Sequence, residues 1–132
     1  MRPIPLGAKG TFSLLVKPEN LASQFKDAML PPVFATPYIV LLMENAALNA
    51  IRPYLDEGES AVGTAVNIRH LAATPVGHGV RAEAEVTEVD GRRIEFNVTA
   101  SDDLEVIGSG THERMVIDLA RFGQSLAKKN KR

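Results

Sequence analysis

Apolar and polar residues alternate through much of the second half of the chain, with the period of a half-buried β-strand. In the first of these segments one face carries Val62, Thr64, Val66, Ile68 and His70, and we expect that face to point toward the core. The same period recurs in residues 80–87 and 94–100, which are joined by Asp90-Gly91, a strong hairpin signal. Residues 104–119 predict a last long strand, with a bulge or bend at Gly108-Ser109-Gly110.

The first half of the chain contains a strand, a mixed segment and one long apolar helix. Residues 10–17 predict the strand, which Pro18 ends. Residues 18–32 are long for a connection and suggest a lid over a ligand, although packing against the domain body is equally open. A helix then begins at Thr36-Pro37, with Thr36 as its N-cap, and stops before Pro53.

This element order predicts an α+β fold, in which a long central helix is wrapped by an antiparallel sheet of about five strands. The helix is apolar enough to cover the buried face of such a sheet. We expect a single domain over residues 1–132, with a core at about 10–122 and a basic tail at 123–132. The tail is expected to be solvated and frayed, or else to contact an anionic ligand or partner.

Composition narrows the classes of function. A net charge of −1 over 132 residues gives no bulk attraction to nucleic acid or to a membrane. The absence of cysteine excludes a disulfide framework and thiolate metal sites. The start of the chain lacks the apolar core of a signal peptide, and the longest apolar run, residues 37–43, is too short to span a bilayer. We therefore expect a cytoplasmic protein without a metal site.

Glu44 is the residue that most suggests chemistry. Its helical neighbours at i±3 and i±4 are all apolar: Val40, Leu41, Ala47 and Leu48. A carboxylate on such a stripe is either held by a partner or protonated, because burying it unpaired is costly. Desolvated carboxyls are common in acid–base and nucleophilic sites. The alternative is a structural carboxylate bonded to a backbone donor or to an arginine.

His70 ends its strand in phase with Val66 and Ile68, so we expect it to point toward the helix. A histidine on an apolar face is more often a core residue, but Glu44 is unclaimed on the helix and the two can form an acid–base pair. His78, between two glycines, is expected in a loop. His112 and Glu113 should point to opposite faces of their strand, so the run His112-Glu113-Arg114 forms no compact triad.

Three segments carry a resemblance to a known family: residues 33–47, 63–77 and 107–114. Over about residues 10–122 the chain closely resembles the fluoroacetyl-CoA thioesterase-like family of hotdog-fold acyl-CoA thioesterases. The resemblance implies a hotdog fold, hydrolysis of an acyl-CoA thioester and a homodimer. It implies no cofactor apart from the coenzyme A that is part of the substrate.

The family acts with a threonine, a glutamate and a histidine, and the matching positions are Thr36, Glu44 and His70. Gly63 matches a glycine near the substrate carbonyl, although a bulge or packing glycine is an equal alternative. N-capping alone would explain Thr36. It lies about 12 Å from Glu44 along one helix. One site contains both only if the helix start is distorted or if they come from different subunits.

The residues of the lid segment bear on which acyl group the site would accept. The fluoroacetyl-specific member lines it with several aromatics, whereas Phe25 is the single aromatic between Lys17 and Pro32. We therefore expect a small acyl-CoA other than fluoroacetyl-CoA, with Phe25 and Leu30 bordering its pocket. Arg69 and Arg114 are candidates for the CoA phosphates, with surface ion pairs as the alternative.

Thioester hydrolysis is the leading prediction from the sequence. Two alternatives share the fold, and fold alone does not decide between them. The first is a non-catalytic acyl-CoA-binding or regulatory module, which would need neither Glu44 nor His70. The second is an enoyl-CoA hydratase, which would add water and release no thiol.

Overall fold

The computed structural model describes residues 1–131; Arg132, the last residue of the predicted basic tail, lies outside them. The first elements are strand β1 (Lys9–Leu15), the short helix α1 (Ala22–Phe25) and the long helix α2 (Thr36–Ile51). The following elements are β2 (Glu59–His70), β3 (Gly79–Asp90), β4 (Arg93–Ser101), β5 (Val106–Asp118) and helix α3 (Leu119–Lys129).

The strands form one antiparallel sheet in the order β1-β3-β4-β5-β2. Helix α2 packs on one face of this sheet and buries Ile39, Leu42, Met43 and Ile51 there. Gly10 permits the close approach of α2 to β1, because a Cβ at this position would overlap the helix backbone. The predicted α+β class, with a long helix against about five antiparallel strands, is confirmed.

Helix α2 begins differently from the sequence prediction. Ala35, in extended conformation, is the N-cap, and its carbonyl accepts from the backbone N–H of Ile39. The assignment of Thr36 as the N-cap is wrong, because Thr36 is already the first helical residue. Ala35 is held extended by a 2.9 Å hydrogen bond from its N–H to the carbonyl of Asn20. The hydroxyl of Thr36 is therefore left for another partner.

Strand β2 contains a bulge, seen as a shift of its register with β5 between Gly63 and Ala65. Before the bulge, Gly63 is paired with Arg114 and faces α2. After it, His70 lies on that same face, paired with Gly108. Because of the extra residue, odd-numbered residues face the helix before the bulge, and even-numbered residues face it after the bulge.

The bulge overturns part of the predicted alternation. His70, Ile68 and Val66 face the helix as expected, but Val62 and Thr64 do not, because a shift of one residue moves a side chain to the other face. The hydroxyl of Thr64 instead donates to Glu113, at 2.6 Å, on the outer face of the sheet. Strand β5 runs through Gly108–Gly110 without a break, and its own irregularity falls at Ile107, opposite Ala100 and Ser101.

The C-terminal segment is a helix, so the prediction of a frayed tail over residues 123–132 is wrong for residues 123–129. The Asp118 carboxylate caps α3 by accepting a 3.0 Å hydrogen bond from the backbone N–H of Arg121. Side chains of α3 are exposed, apart from a half-buried Phe122. Within residues 1–131, no helix combines the length and apolar content needed to cross a membrane.

Candidate active site

The start of α2 and the end of β2 converge on one hydrogen bond. Thr36 Oγ1 lies 2.8 Å from Nδ1 of His70. This is the spacing of a hydroxyl nucleophile and its general base. The pair can therefore pass the hydroxyl proton of Thr36 to the imidazole, and we refer to Thr36 and His70, as candidates for catalysis, as the catalytic pair.

The surroundings of His70 favour its neutral form. Burial lowers the pKa of His70, and a backbone group of Ala72 opposes this shift. No hydrogen bond of ordinary geometry reaches Nε2, which is buried and has no partner among residues 1–131. A neutral imidazole at pH 7 is the form that accepts a proton, so the environment suits a base.

Glu44 does not join this pair. No hydrogen bond or ion pair links Glu44 to His70 in the described part of the chain; Oε2 of Glu44 lies 3.8 Å from Nη1 of Arg114 instead. The Glu44 side chain is 38% exposed in the single chain. Within one chain, Glu44 is therefore neither desolvated nor in contact with His70. It lies well along α2 from the helix start, at a position where β5 supplies an arginine.

Arg114 is held inside the fold, with 8% of its surface exposed. Its Nη2 donates a 2.7 Å hydrogen bond to the carbonyl of Ala61, and its Nη1 lies 3.2 Å from Nε2 of His112. Burial lowers the pKa of Arg114, and the Glu44 carboxylate opposes this shift. The alternative of a surface ion pair holds in part for Arg114, because it does pair with a carboxylate, that of Glu44, but its guanidinium faces the interior of the sheet–helix layer.

Gly63 lies where these groups meet. A Cβ at position 63 would be 2.7 Å from Oε2 of Glu44 and 3.3 Å from Cε1 of His112. A glycine is therefore needed for the carboxylate and the strand to approach this closely. We call Glu44, Gly63, His112 and Arg114 the arginine cluster.

A groove of about 230 Å³ lies beside the arginine cluster, lined by Leu41, Glu44, Asn45, Leu48 and Arg114. It combines apolar walls with one carboxylate and one guanidinium, as ligand pockets do. A larger cavity, of about 440 Å³, lies between β5 and α3 and contains none of the predicted site residues. The groove is therefore the cavity that bears on the site.

The predicted lid is anchored at one end. Leu21 is buried and pairs with Phe34, whereas Phe25 is 50% exposed. The ring of Phe25 packs edge-on against Tyr38, with centroids 5.1 Å apart. Tyr38 is in the first turn of α2, so Phe25 lies near the catalytic pair. Leu30, the other predicted pocket residue, is half-buried.

The sequence analysis missed His112 and Tyr38. His112 was set aside because its neighbour Glu113 points the other way, and Glu113 does lie on the outer face. The strand alternation itself was the available signal, since it places His112 and Arg114 on one face. His78 is paired with Asp103 at 2.8 Å in the loops, apart from both groups of site residues.

The structure thus gathers the predicted residues into two separate groups. The catalytic pair is attached to β2 at His70, and the arginine cluster at Gly63. These positions are roughly 20 Å apart along the strand, at about 3.3 Å per residue. Within one chain the two groups do not form a single site.

Comparison with known proteins agrees with the resemblance in the sequence. A family model described as fluoroacetyl-CoA-specific thioesterase matches residues 16–120. The fluoroacetyl-CoA thioesterase of Streptantibioticus cattleyicolor is 48% identical over 102 residues, which are 77% of this chain and 73% of that protein.

Solved structures show the same fold. A structure of the fluoroacetyl-CoA thioesterase FlK superposes with a TM-score of 0.90 at 40% identity, covering 96% of this chain and 98% of that one. A Thermus thermophilus protein described as a thioesterase superfamily member superposes with a TM-score of 0.91 at 33% identity, covering 99% and 96%. The hotdog fold is confirmed, and the chain belongs to the fluoroacetyl-CoA-specific thioesterase family of thioester hydrolases.

Proposed function

We propose that the protein hydrolyses a small acyl-CoA thioester to the free acid and CoA, in a site shared by two subunits. The observation that carries the reaction is the 2.8 Å contact between Thr36 Oγ1 and His70 Nδ1. Membership of a thioesterase family supports the reaction class. The separate position of Glu44 supports a site made by two chains.

The catalytic pair suits the first half of the reaction. Thr36 Oγ attacks the thioester carbonyl carbon while His70 takes the hydroxyl proton, and the imidazolium then protonates the departing CoA thiolate. In this proposal the oxyanion is held by backbone N–H groups, either at the start of α2 or near Gly63.

Glu44 suits the second half. Water attacks the acyl–threonine ester while the Glu44 carboxylate takes a proton from that water. Glu44 then gives this proton to Thr36 Oγ as the ester bond breaks and the acid leaves, so that the carboxylate and the hydroxyl are both restored. The alternative role for Glu44 is direct nucleophilic attack on the thioester. Both roles need the carboxylate close to the acyl carbon and therefore close to the catalytic pair.

A two-fold homodimer would meet that need. Strand β2 is an edge strand of the sheet, and Val66 in its middle is 40% exposed. Antiparallel pairing of two β2 strands about an axis midway between Gly63 and His70 would place each residue opposite the other. Glu44 of the partner subunit would then complete the site of Thr36 and His70.

The acyl pocket would combine the 230 Å³ groove with the lid. Phe25 and Leu30 border it in this proposal, and Arg114, which lies next to Gly63, lines the groove. Because the lid carries a single aromatic residue, we propose an acyl group other than fluoroacetyl as the preferred one. A small acyl chain suits the apolar walls that Leu41 and Leu48 provide.

The reaction is tested by release of free thiol from acetyl-, fluoroacetyl-, propionyl- and butyryl-CoA. We expect hydrolysis of at least one, with fluoroacetyl-CoA not the best substrate. Thr36→Val should lower kcat by at least about 10²-fold, whereas Thr36→Ser, which keeps the hydroxyl, should retain most of it. CoA binding without thiol release would show a binding module, and water addition to an enoyl-CoA without thiol release would show a hydratase.

The shared site is tested by mixing two inactive variants. A mixed dimer of Thr36→Val and Glu44→Gln chains contains one site with both changes and one site with neither. Activity should therefore reappear when the two proteins are exchanged into mixed dimers. Two variants that stay inactive after verified exchange would show that each chain builds its site alone, and a monomeric, active protein would also refute the proposal.

A further inference from the structure

His112 is a buried titratable side chain that the proposed reaction does not use. It is 1% exposed, and its ring stacks on Phe96 with centroids 5.8 Å apart. Each ring nitrogen has one neighbour: Nδ1 lies 2.8 Å from the carbonyl oxygen of Ala65, and Nε2 lies 3.2 Å from Nη1 of Arg114. A buried imidazole needs partners for its nitrogens, and what distinguishes His112 is that one of these partners is a guanidinium.

These neighbours fix the protonation state of the ring. A carbonyl oxygen can only accept, so Nδ1 carries a proton. A guanidinium can only donate, so Nε2 is the acceptor and carries none. His112 is therefore a neutral imidazole in its Nδ1–H form, and it is an acceptor pointed at Arg114.

The acceptor removes the freedom of the guanidinium. Ala61 binds Nη2 of Arg114 and His112 binds Nη1, so two of the three nitrogens of a planar group are fixed. In this orientation Nη1 of Arg114 lies 3.8 Å from Oε2 of Glu44, beside the space that Gly63 leaves open. The contacts run in sequence from the bulge carbonyl through His112 and Arg114 to the carboxylate.

We propose that His112 is a positioning residue, whose neutral imidazole orients Arg114 and thereby sets where the Glu44 carboxylate lies in the site. This inference rests on the proposed function, in which Glu44 acts on the acyl group. His112 touches no reacting atom. Its contribution is to hold the guanidinium in one orientation through the reaction.

Burial and the Arg114 guanidinium support a lasting neutral form of His112, against the influence of two carboxylates. Burial is the largest influence and lowers the pKa of His112. Its bond to the carbonyl of Ala65 opposes this; Arg114 lowers the pKa further, and Glu44 from α2 and Glu113 raise it. Glu95 of β4 lines the small cavity beside the ring. Protonation would turn Nε2 into a donor facing a cation, which the geometry disfavours.

The test compares two replacements of His112. His112→Phe keeps a ring against Phe96 but removes both hydrogen bonds, and we expect kcat for thiol release to fall about tenfold to a hundredfold, with KM changed less. His112→Gln restores an amide oxygen near Nε2 and should recover most of the loss. His78→Phe, the same change at a loop histidine, is the matched control and should leave kcat unchanged.

A second comparison shows whether His112 acts through Arg114. In an Arg114→Met background, adding His112→Phe should lower kcat little further, because the guanidinium that His112 positions is gone. The inference is overturned by a fall in melting temperature with kcat unchanged, by failure of a folded His112→Gln to recover kcat, or by full additivity with Arg114→Met.

A nitrogen NMR measurement keeps the inference separate from the proposed function. In ¹⁵N-histidine-labelled protein, His112 should show the neutral Nδ1–H form at pH 7, whether or not the protein turns over acyl-CoA. An imidazolium or an Nε2–H form at pH 7 overturns the inference. Full activity of Glu44→Gln would instead refute the proposed function, and that result comes from a different variant.

Discussion

The Glu44–Arg114 pair is too long, and its carboxylate too exposed, to contribute much to folding, although the guanidinium is buried. Its closest atoms are 3.8 Å apart, and the Glu44 side chain is 38% exposed. Ion pairs of this kind contribute about 0–1 kcal/mol to the free energy of unfolding. A change at Glu44 therefore separates catalysis from stability better than a change at a buried residue.

We expect Glu44→Gln to lower kcat by at least about 10²-fold, because the amide keeps the shape of the side chain but cannot act as base or nucleophile. The melting temperature should change little. Thiol release and thermal unfolding of the same variant measure both effects. Glu57→Gln, in the exposed loop before β2, is the matched control. A destabilised Glu44→Gln that keeps full activity would end the catalytic assignment.

Thr36 shows what sequence could and could not predict at the level of one residue. A threonine before Pro37 suggests an N-cap, and its match to a family threonine suggests catalysis. Whether Thr36 caps the helix depends on whether Ala35 is held extended, and that depends on the hydrogen bond from Ala35 to Asn20. Such a tertiary contact leaves no local pattern in the sequence.

At the scale of elements, the length of α2 separates Glu44 from His70 within one chain, and the β2 bulge explains a different error, which lies in the predicted alternation. Alternation assumes an unbroken period of two, and an extra residue at the bulge is invisible to it. Nothing in the alternation could therefore place Gly63, rather than Thr64, against the helix.

Gly63→Ala should impair catalysis and spare the fold. The added methyl would lie 2.7 Å from Oε2 of Glu44, at the far end of a flexible side chain, so the carboxylate moves and the backbone need not. We expect at least about a tenfold loss in kcat for thiol release, as small displacements of catalytic groups produce. Gly79→Ala, which meets open space, is the control. An unfolded or fully active Gly63→Ala would contradict this.

Changes in the lid should alter selectivity more than stability. Phe25 is half exposed and contacts Tyr38, so Phe25→Ala removes little core. We expect it, and Leu30→Ala, to shift the ratio of kcat/KM between short and longer acyl-CoA by about tenfold. Met29→Ala, at a 93% exposed position, is the control. Unfolding of both variants would show that the segment belongs to the core.

At the scale of the whole molecule, the strong periodicities predicted most of the fold. One long apolar helix and alternating strands were enough for the α+β class. The position of β2 at an edge, next to β5, was not predictable, because strand order is a matter of long-range pairing. The edge position matters for the proposed two-chain site, since it leaves β2 open to a second chain.

The free energy of unfolding should fall as the pH drops from about 7 to about 5. Burial lowers the pKa of His70 and of His112, whereas histidines of an unfolded chain titrate near 6.5. Below about pH 6.5 the unfolded state therefore binds more protons than the folded state. The stability that is present above about pH 6.5 is lost as the pH falls from there through the lower pKa values of the folded protein.

Urea unfolding at several pH values measures this dependence. His112→Gln should show a shallower fall, because one of the two groups is removed. Hydrogen bonds lower the pKa of two carboxylates: that of Asp103, bonded to His78, and that of Glu113, bonded to Thr64 and Arg93. Protonation of these carboxylates reduces the free energy of unfolding only in stronger acid. A free energy of unfolding that is constant between pH 7 and 5 would refute the expectation.

The separation of the catalytic pair from the arginine cluster along β2 has a kinetic consequence. An enzyme whose site needs two chains obeys mass action in its own concentration. On dilution below the dissociation constant of the dimer, the activity per milligram should decline. Bound acyl-CoA, which touches both chains, should delay that decline. The concentration of the enzyme would then determine the activity of each molecule as well as the number of molecules.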